Sequence, residues 1–220
     1  MANNVLLVLE LIVIFVLFWA DIHRWPHVVI FSKTPYLLVL GWISLRLRGR
    51  TWRSVGLFQP NSWPRVIVVG FLVGCAIEAL ELFVTQPALA HAFNQPPDLS
   101  ALAELRGNPG MLALAVLLSW TLAAFGEELV WRGYLLNRLA EALGSARWSW
   151  ALSIVVTSVA FGLAHFDQGR TGIVENMIDG ALLCAVYLAS GRNLWAPILA
   201  HGVTDTIDSI LLFSGHYPMP

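Results

Sequence analysis

Residues 110–132 read GMLALAVLLSWTLAAFGEELVWR. No ionisable side chain occurs from Gly110 to Gly126, and the run then closes on Glu127, Glu128 and Arg132. A helix that crosses a membrane needs ~20 mostly apolar residues. Charge at membrane depth is costly, so where it is kept it marks function. The stretch therefore reads as a spanning helix with a polar cluster at one end. Working outward, similar apolar segments lie at roughly 4–20, 27–45, 64–84, 148–166, 171–190 and 193–213. The second is the weakest, because Lys33 and Pro35 interrupt it. The fold class expected is all-α: a multi-pass transmembrane helical bundle of about seven or eight helices. Residues 1–105 supply N-terminal membrane helices and an extracytoplasmic (periplasmic) loop, and residues 106–220 the catalytic membrane core.

Composition agrees. The 220 residues are 57% hydrophobic and only 12% charged, against ~25% charged in an average soluble domain. Mean hydropathy is +0.69. Ten Trp and eleven Phe suit a bilayer, whose interfaces aromatics line. This excludes a disordered chain and argues against a soluble enzyme. A net charge of −1 offers no basic face for nucleic acid. Cys75 and Cys184 both lie inside apolar runs and read as small buried hydrophobes, not as a disulfide or zinc framework. The run from Val5 to Ala20 has no basic residue before it and a poor small-residue cleavage site after it, so it reads as a retained membrane helix.

Arg46, Arg48, Arg50 and Arg53 crowd the connection after the second segment and place it in the cytoplasm. The N-terminus and the turns at Gly144 and at Gly191-Arg192-Asn193 then lie on the same side. The 85–110 connection lies opposite. With Pro87, Pro96, Pro97 and Pro109 it is expected to be irregular rather than helical. Glu10, Glu78 and Glu81 are expected to be buried hydrogen-bonded acids or interface positions.

Three polar sets carry chemistry. Glu128 and Arg132 stand four apart with the acid first, the favourable order for an ion pair. Glu127 points elsewhere and has no local partner, so it is available as a general base or acid. In the second set, Phe161 and His165 share a helical face. In the third, His201 and Asp205, with Asp208 one turn on, form a polar stripe on an apolar helix. At ~1.5 Å per residue Glu127 and His165 lie roughly 26 and 31 Å from the Gly144 turn, and His201 roughly 12 Å from Asn193. The three depths agree if the hairpin around Gly144 projects some ~15 Å beyond the membrane, and the Arg132–Arg147 stretch is the candidate projection. One acid, two histidines and an aspartate then meet near the cytoplasmic face. They can activate water and stabilise an oxyanion, or Glu127, His165, His201 and Asp205 can hold Zn²⁺. There is no HExxH signature, and no Ser or Cys sits in a motif suited to covalent attack.

The motifs EExxxR (Glu127, Glu128, Arg132), FxxxH (Phe161, His165) and HxxxN/D (His201, Asp205) resemble those of the CPBP intramembrane proteases, which include the type II CAAX prenyl endopeptidases and Abi-type proteins. The resemblance spans about residues 106–220. It implies a cavity open to the cytoplasm and to lipid, with Glu127 and His165 activating water and His201 with position 205 forming the oxyanion site. Glu128 and Arg132 would support them. It requires no cofactor in a glutamate mechanism, while family members described as metalloproteases keep Zn²⁺ open. Position 205 is Asp where the prenyl endopeptidases carry Asn. An ionised Asp205 repels an oxyanion unless it is protonated, paired with a His201 imidazolium, or a metal ligand. The expected function is an intramembrane endopeptidase acting on a membrane protein or lipidated peptide in the bilayer. The alternatives are a non-catalytic scaffold or immunity-type protein of the same fold, and a proton-coupled carrier. The brevity of the chain points to a bacterial plasma membrane.

Overall fold

The computed structural model describes residues 2–23 and 32–218. Within them the chain forms seven helical rods. These are α1 (Ala2–Ile22), α2 (Thr34–Leu47), α3 (Trp63–Phe93), α4 (Pro109–Ala142), α5 (Arg147–Leu163), α6 (Gly169–Ala189) and α7 (Trp195–Ser214). No strand occurs among the described residues. The expected all-α bundle is what the chain forms. α1, α3, α4 and the Phe166–Ala189 stretch containing α6 are long and apolar enough to cross a membrane. The first part of the expected 27–45 segment falls outside the described residues, and α2 begins at Thr34.

Local chemistry sets the helix ends. Ser62 caps α3, its hydroxyl accepting from the Arg65 N–H, and a proline stands in the first turn. Asn108 caps α4 by accepting from the Gly110 and Met111 N–H groups, with Pro109 at the first helical position, where its missing N–H costs nothing. α7 ends at Gly215, whose φ of 72° suits glycine.

The side-chain distribution explains the composition. Phe15, Leu72, Phe83 and Val155 are all more than half exposed, and they belong to an outer surface that only lipid would solvate. The interior holds the polar groups. Ser149, Ser153 and Thr157 are buried along one face of α5 and bond back to carbonyls within their own helix or turn, which leaves none of these hydroxyls unsatisfied in an apolar medium.

α3 and α7 approach closely because small residues line their seam. A Cβ at Gly74 would stand 2.7 Å from the Ala200 carbonyl oxygen and 2.7 Å from Val203 Cβ. Gly74→Val is expected to lower stability by about 1–3 kcal/mol through overpacking, while Leu72→Val on the exposed side of α3 changes it little. Thermal unfolding of the purified variants in detergent checks this; equal melting temperatures would contradict the close seam.

The sequence reading is corrected at one place. The 85–110 connection is not irregular throughout. α3 runs on past Pro87 to Phe93, and Ser100–Leu105 forms a 3₁₀ turn. Proline normally breaks a helix because its ring meets the carbonyl four residues back. Here residues Glu81–Thr85 take the wider π form, with the Gln86 N–H reaching the Glu81 carbonyl, and the widened turn accommodates the ring. The candidate projection at the end of α4 is tied to α1 and to the connection after α2. Arg138 is buried, and its Nε lies 2.7 Å from Glu10 of α1, which also accepts from Ser44 of α2. Glu141 takes Arg48 at 2.8 Å, and Arg50 as well. Leu129–Leu136, between Glu127 and the Gly144 turn, is π-helical. Such turns hold more residues, which brings Glu127 slightly nearer the turn than an α-helix would place it.

Candidate active site

Four elements bring their polar residues to one cavity of about 480 Å³, whose wall includes Thr34, Glu127, Phe161, His165, His201 and Asp205. Glu127 ends the first of two π stretches in α4, Ser119–Glu127. π-Bulges recur at functional sites because they rotate a side chain out of the α register. Its Oε1 accepts from the Thr34 hydroxyl at 3.4 Å, and Thr34 is the first residue of α2. No direct hydrogen bond joins Glu127 to His165 among the described residues; they share the cavity wall.

His165 lies just past the end of α5, where the chain turns out of the helix. Its Nδ1 stands 2.8 Å from the Phe161 carbonyl oxygen. A carbonyl only accepts, so Nδ1 carries the hydrogen and Nε2 is left as the basic nitrogen. The Phe161 ring holds this arrangement together. It packs edge-on to Trp131 at 5.4 Å, to His165 at 4.8 Å and to His201 at 6.3 Å.

Glu128 is fully buried and belongs to a different cluster from Glu127. Its Oε1 lies 2.7 Å from Arg132 Nη1 and 2.9 Å from His201 Nδ1. Arg132 is 1% exposed, donates to the Gly180 carbonyl at 3.2 Å, and lays its guanidinium over Phe161 at 4.8 Å. His201 Nε2 lies 3.5 Å from Asp205 Oδ1. The histidine thus stands between two carboxylates, one from α4 and one from its own helix. Sequence spacing exposed the Glu128–Arg132 pair and the His201–Asp205 neighbourhood. It gave no sign of the Glu128–His201 link or of Thr34, because both join elements far apart in the chain.

Of the three acids expected to be buried hydrogen-bonded or interfacial groups, Glu10 is bonded to Ser44 and Arg138, while Glu78 and Glu81 each meet another carboxyl, Asp208 and Asp179. No N–H or hydroxyl donor reaches either Glu78 oxygen, and Glu81 lines the cavity. Glu175 and Asp179 line it too. Those two are four apart in an apolar segment, a signal the sequence carried and the motif reading passed over.

The metal reading can be tested on the donor set. Among the described residues no three His, Cys, Asp or Glu groups converge closely enough to hold a metal ion. A carbonyl holds one Nδ1 and Glu128 the other, which leaves both Nε2 atoms open, so it is the separation of the donors and not the state of the imidazoles that decides the fit. The residues as arranged do not fit a zinc centre.

The fold and this cavity define a class: a helical membrane protein with a carboxylate and two histidines gathered inside the bundle. Residues 109–207, a little under half of the chain, match the family model described as Type II CAAX prenyl endopeptidase Rce1-like. The match points to an intramembrane protease of the CAAX type, and the matched stretch contains every motif residue from Glu127 to Asp205. Comparison with curated proteins found no match, and comparison with solved structures found none.

Proposed function

We propose that the protein is an intramembrane endopeptidase that hydrolyses a peptide bond in a membrane-associated or lipidated substrate by activated water. The observation that carries this reading is the convergence of Glu127, His165, His201 and Asp205 on one cavity. A water between the Glu127 carboxylate and His165 Nε2 gives up its proton to one of them. The resulting hydroxide attacks the scissile carbonyl carbon. The carbonyl oxygen becomes an oxyanion, and a His201 Nε2–H donates to it. As the tetrahedral intermediate collapses, the C–N bond breaks and the captured proton passes to the leaving nitrogen, giving a carboxylate and an amine.

The Asp at position 205 fits through charge counting. Glu128 and Asp205 carry two negative charges and Arg132 one positive. An imidazolium at His201, with N–H groups facing both carboxylates, completes the balance and keeps an Nε2–H for the oxyanion. At rest that N–H faces Asp205 at 3.5 Å without a hydrogen bond, so it is free to turn to the intermediate. The site is assigned to the cytoplasmic half of a plasma membrane.

Comparative mapping of membrane-protein termini in cells carrying the wild-type or Glu127→Ala protein tests this reading. New termini that vanish with Glu127→Ala are the expected result, and identical sets would contradict it. For the chemistry, cleavage by the purified protein is expected to persist after exhaustive chelation. Loss of cleavage restored by Zn²⁺ would overturn the glutamate mechanism.

A further inference from the structure

The far end of the cavity is lined by acids that the hydrolytic mechanism does not use. Glu81 comes from α3, Glu175 and Asp179 from α6, and Asp208 from α7. Glu78 lies buried beside them, against Asp208. Glu78 meets Asp208, Glu81 meets Asp179 and Glu175 meets Gln86, but these contacts leave oxygens without an N–H donor. Glu175 is 4% exposed, yet its Oε1 has no hydrogen-bond partner. Glu78 and Asp208 have only each other, with no N–H or hydroxyl donor reaching either Glu78 oxygen or Asp208 Oδ1. Among the described residues no Lys or Arg lines the cavity. The guanidinium of Arg132 is committed to Glu128 and the Gly180 carbonyl.

Bringing like charges together away from water costs free energy, and so does burying a carboxylate oxygen without a donor. A bound cation relieves both costs at once. An ammonium or guanidinium group also supplies the several N–H donors that these oxygens lack. We propose that this end of the cavity is a subsite for the cationic side chain of a substrate peptide. The position follows from the helix geometry. Asp208 lies seven residues beyond His201, roughly 10 Å along α7 at ~1.5 Å per residue. An extended peptide advances ~3.3–3.6 Å per residue. A Lys or Arg one or two residues from the scissile bond therefore reaches the acids while the bond lies at Glu127 and His165. A free terminal carboxylate in the same place would be repelled. The proposal rests on the protease reading for the identity of the occupant, but the subsite itself is open to a separate test.

The full-length Glu127→Gln protein in nanodiscs is titrated with a fluorescent peptide bearing a central lysine, and with the same peptide bearing norleucine. The lysine peptide is expected to bind at least tenfold more tightly, and Glu175→Gln/Asp179→Asn is expected to abolish the difference. Should the double variant not purify, Glu175→Gln alone is read in the same way. Absence of a lysine preference overturns the proposal, as does a preference that survives the substitutions. A preference lost on adding Mg²⁺ or Ca²⁺, with those ions alone raising the melting temperature, also overturns it in favour of an inorganic cation site. The termini mapped in cells separate this proposal from the reading it rests on. Glu127-dependent cuts should carry a basic residue within two positions. Such cuts without that enrichment remove the subsite and leave the protease. No Glu127-dependent cuts would remove the protease, and the binding titration would still decide the subsite.

Discussion

Glu127→Gln is expected to lower cleavage by about 10²- to 10⁴-fold, the range that a positioned proton-transfer group contributes. The substitution keeps the side chain's volume and an oxygen for the Thr34 hydroxyl, so the melting temperature should stay at the wild-type value. What is lost is the carboxylate that takes the proton from water. His165→Ala is expected to fall into the same range, since it removes the basic Nε2 that the Phe161 carbonyl leaves free. The two groups serve one water, so the double variant should be no slower than the slower single variant. Initial rates on a substrate found by mapping termini measure all three. A double variant slower by the product of the single effects would mean that the two residues act in separate steps.

The second large effect is structural. Arg132→Ala leaves Glu128 buried with only His201 beside it. Removing one partner of a buried ion pair costs about 3–5 kcal/mol, because the survivor's charge is left without compensation. Membrane insertion without a cooperative unfolding transition, or a sharply lowered melting temperature, is the expected outcome. Replacing both charges together, as Glu128→Leu/Arg132→Met, is expected to restore most of the stability, as such exchanges often do. Activity should not return with it, because His201 Nδ1 has lost its acceptor and the ring is no longer held toward the cavity. Thermal unfolding paired with cleavage rates separates the two roles. A stable and fully active double variant would show that Glu128 does not position His201.

Much of the fold was legible because the bilayer imposes one dominant requirement, a run of apolar residues of fixed length, and each of the seven expected segments has a helix on it. The reading fell short where local rules were overridden. Pro87 reads as a helix breaker, yet the π turn before it makes room for the ring. The Arg132–Arg147 stretch looks polar enough for water, yet Arg138 and Glu141 find partners on α1 and in the arginine-rich connection after α2. Those partners lie about a hundred residues away in the chain. The same limit applies at the cavity. Spacing of three and four residues revealed Glu128 with Arg132 and His201 with Asp205, because one helical face holds each pair. The link from Glu128 to His201 depends on how α4 packs against α7. The widened turns of α4, which set the direction of Glu127, leave no mark in a pattern read at 3.6 residues per turn.

The most direct test of the account is reconstitution of the purified full-length protein in liposomes with a membrane peptide taken from the Glu127-dependent termini. The wild-type protein should cut that peptide at the bond mapped in cells, and the Glu127→Gln protein, equally folded and equally inserted, should leave it intact over the same period. Cleavage at undiminished rate by Glu127→Gln would contradict the assignment of water activation to this carboxylate.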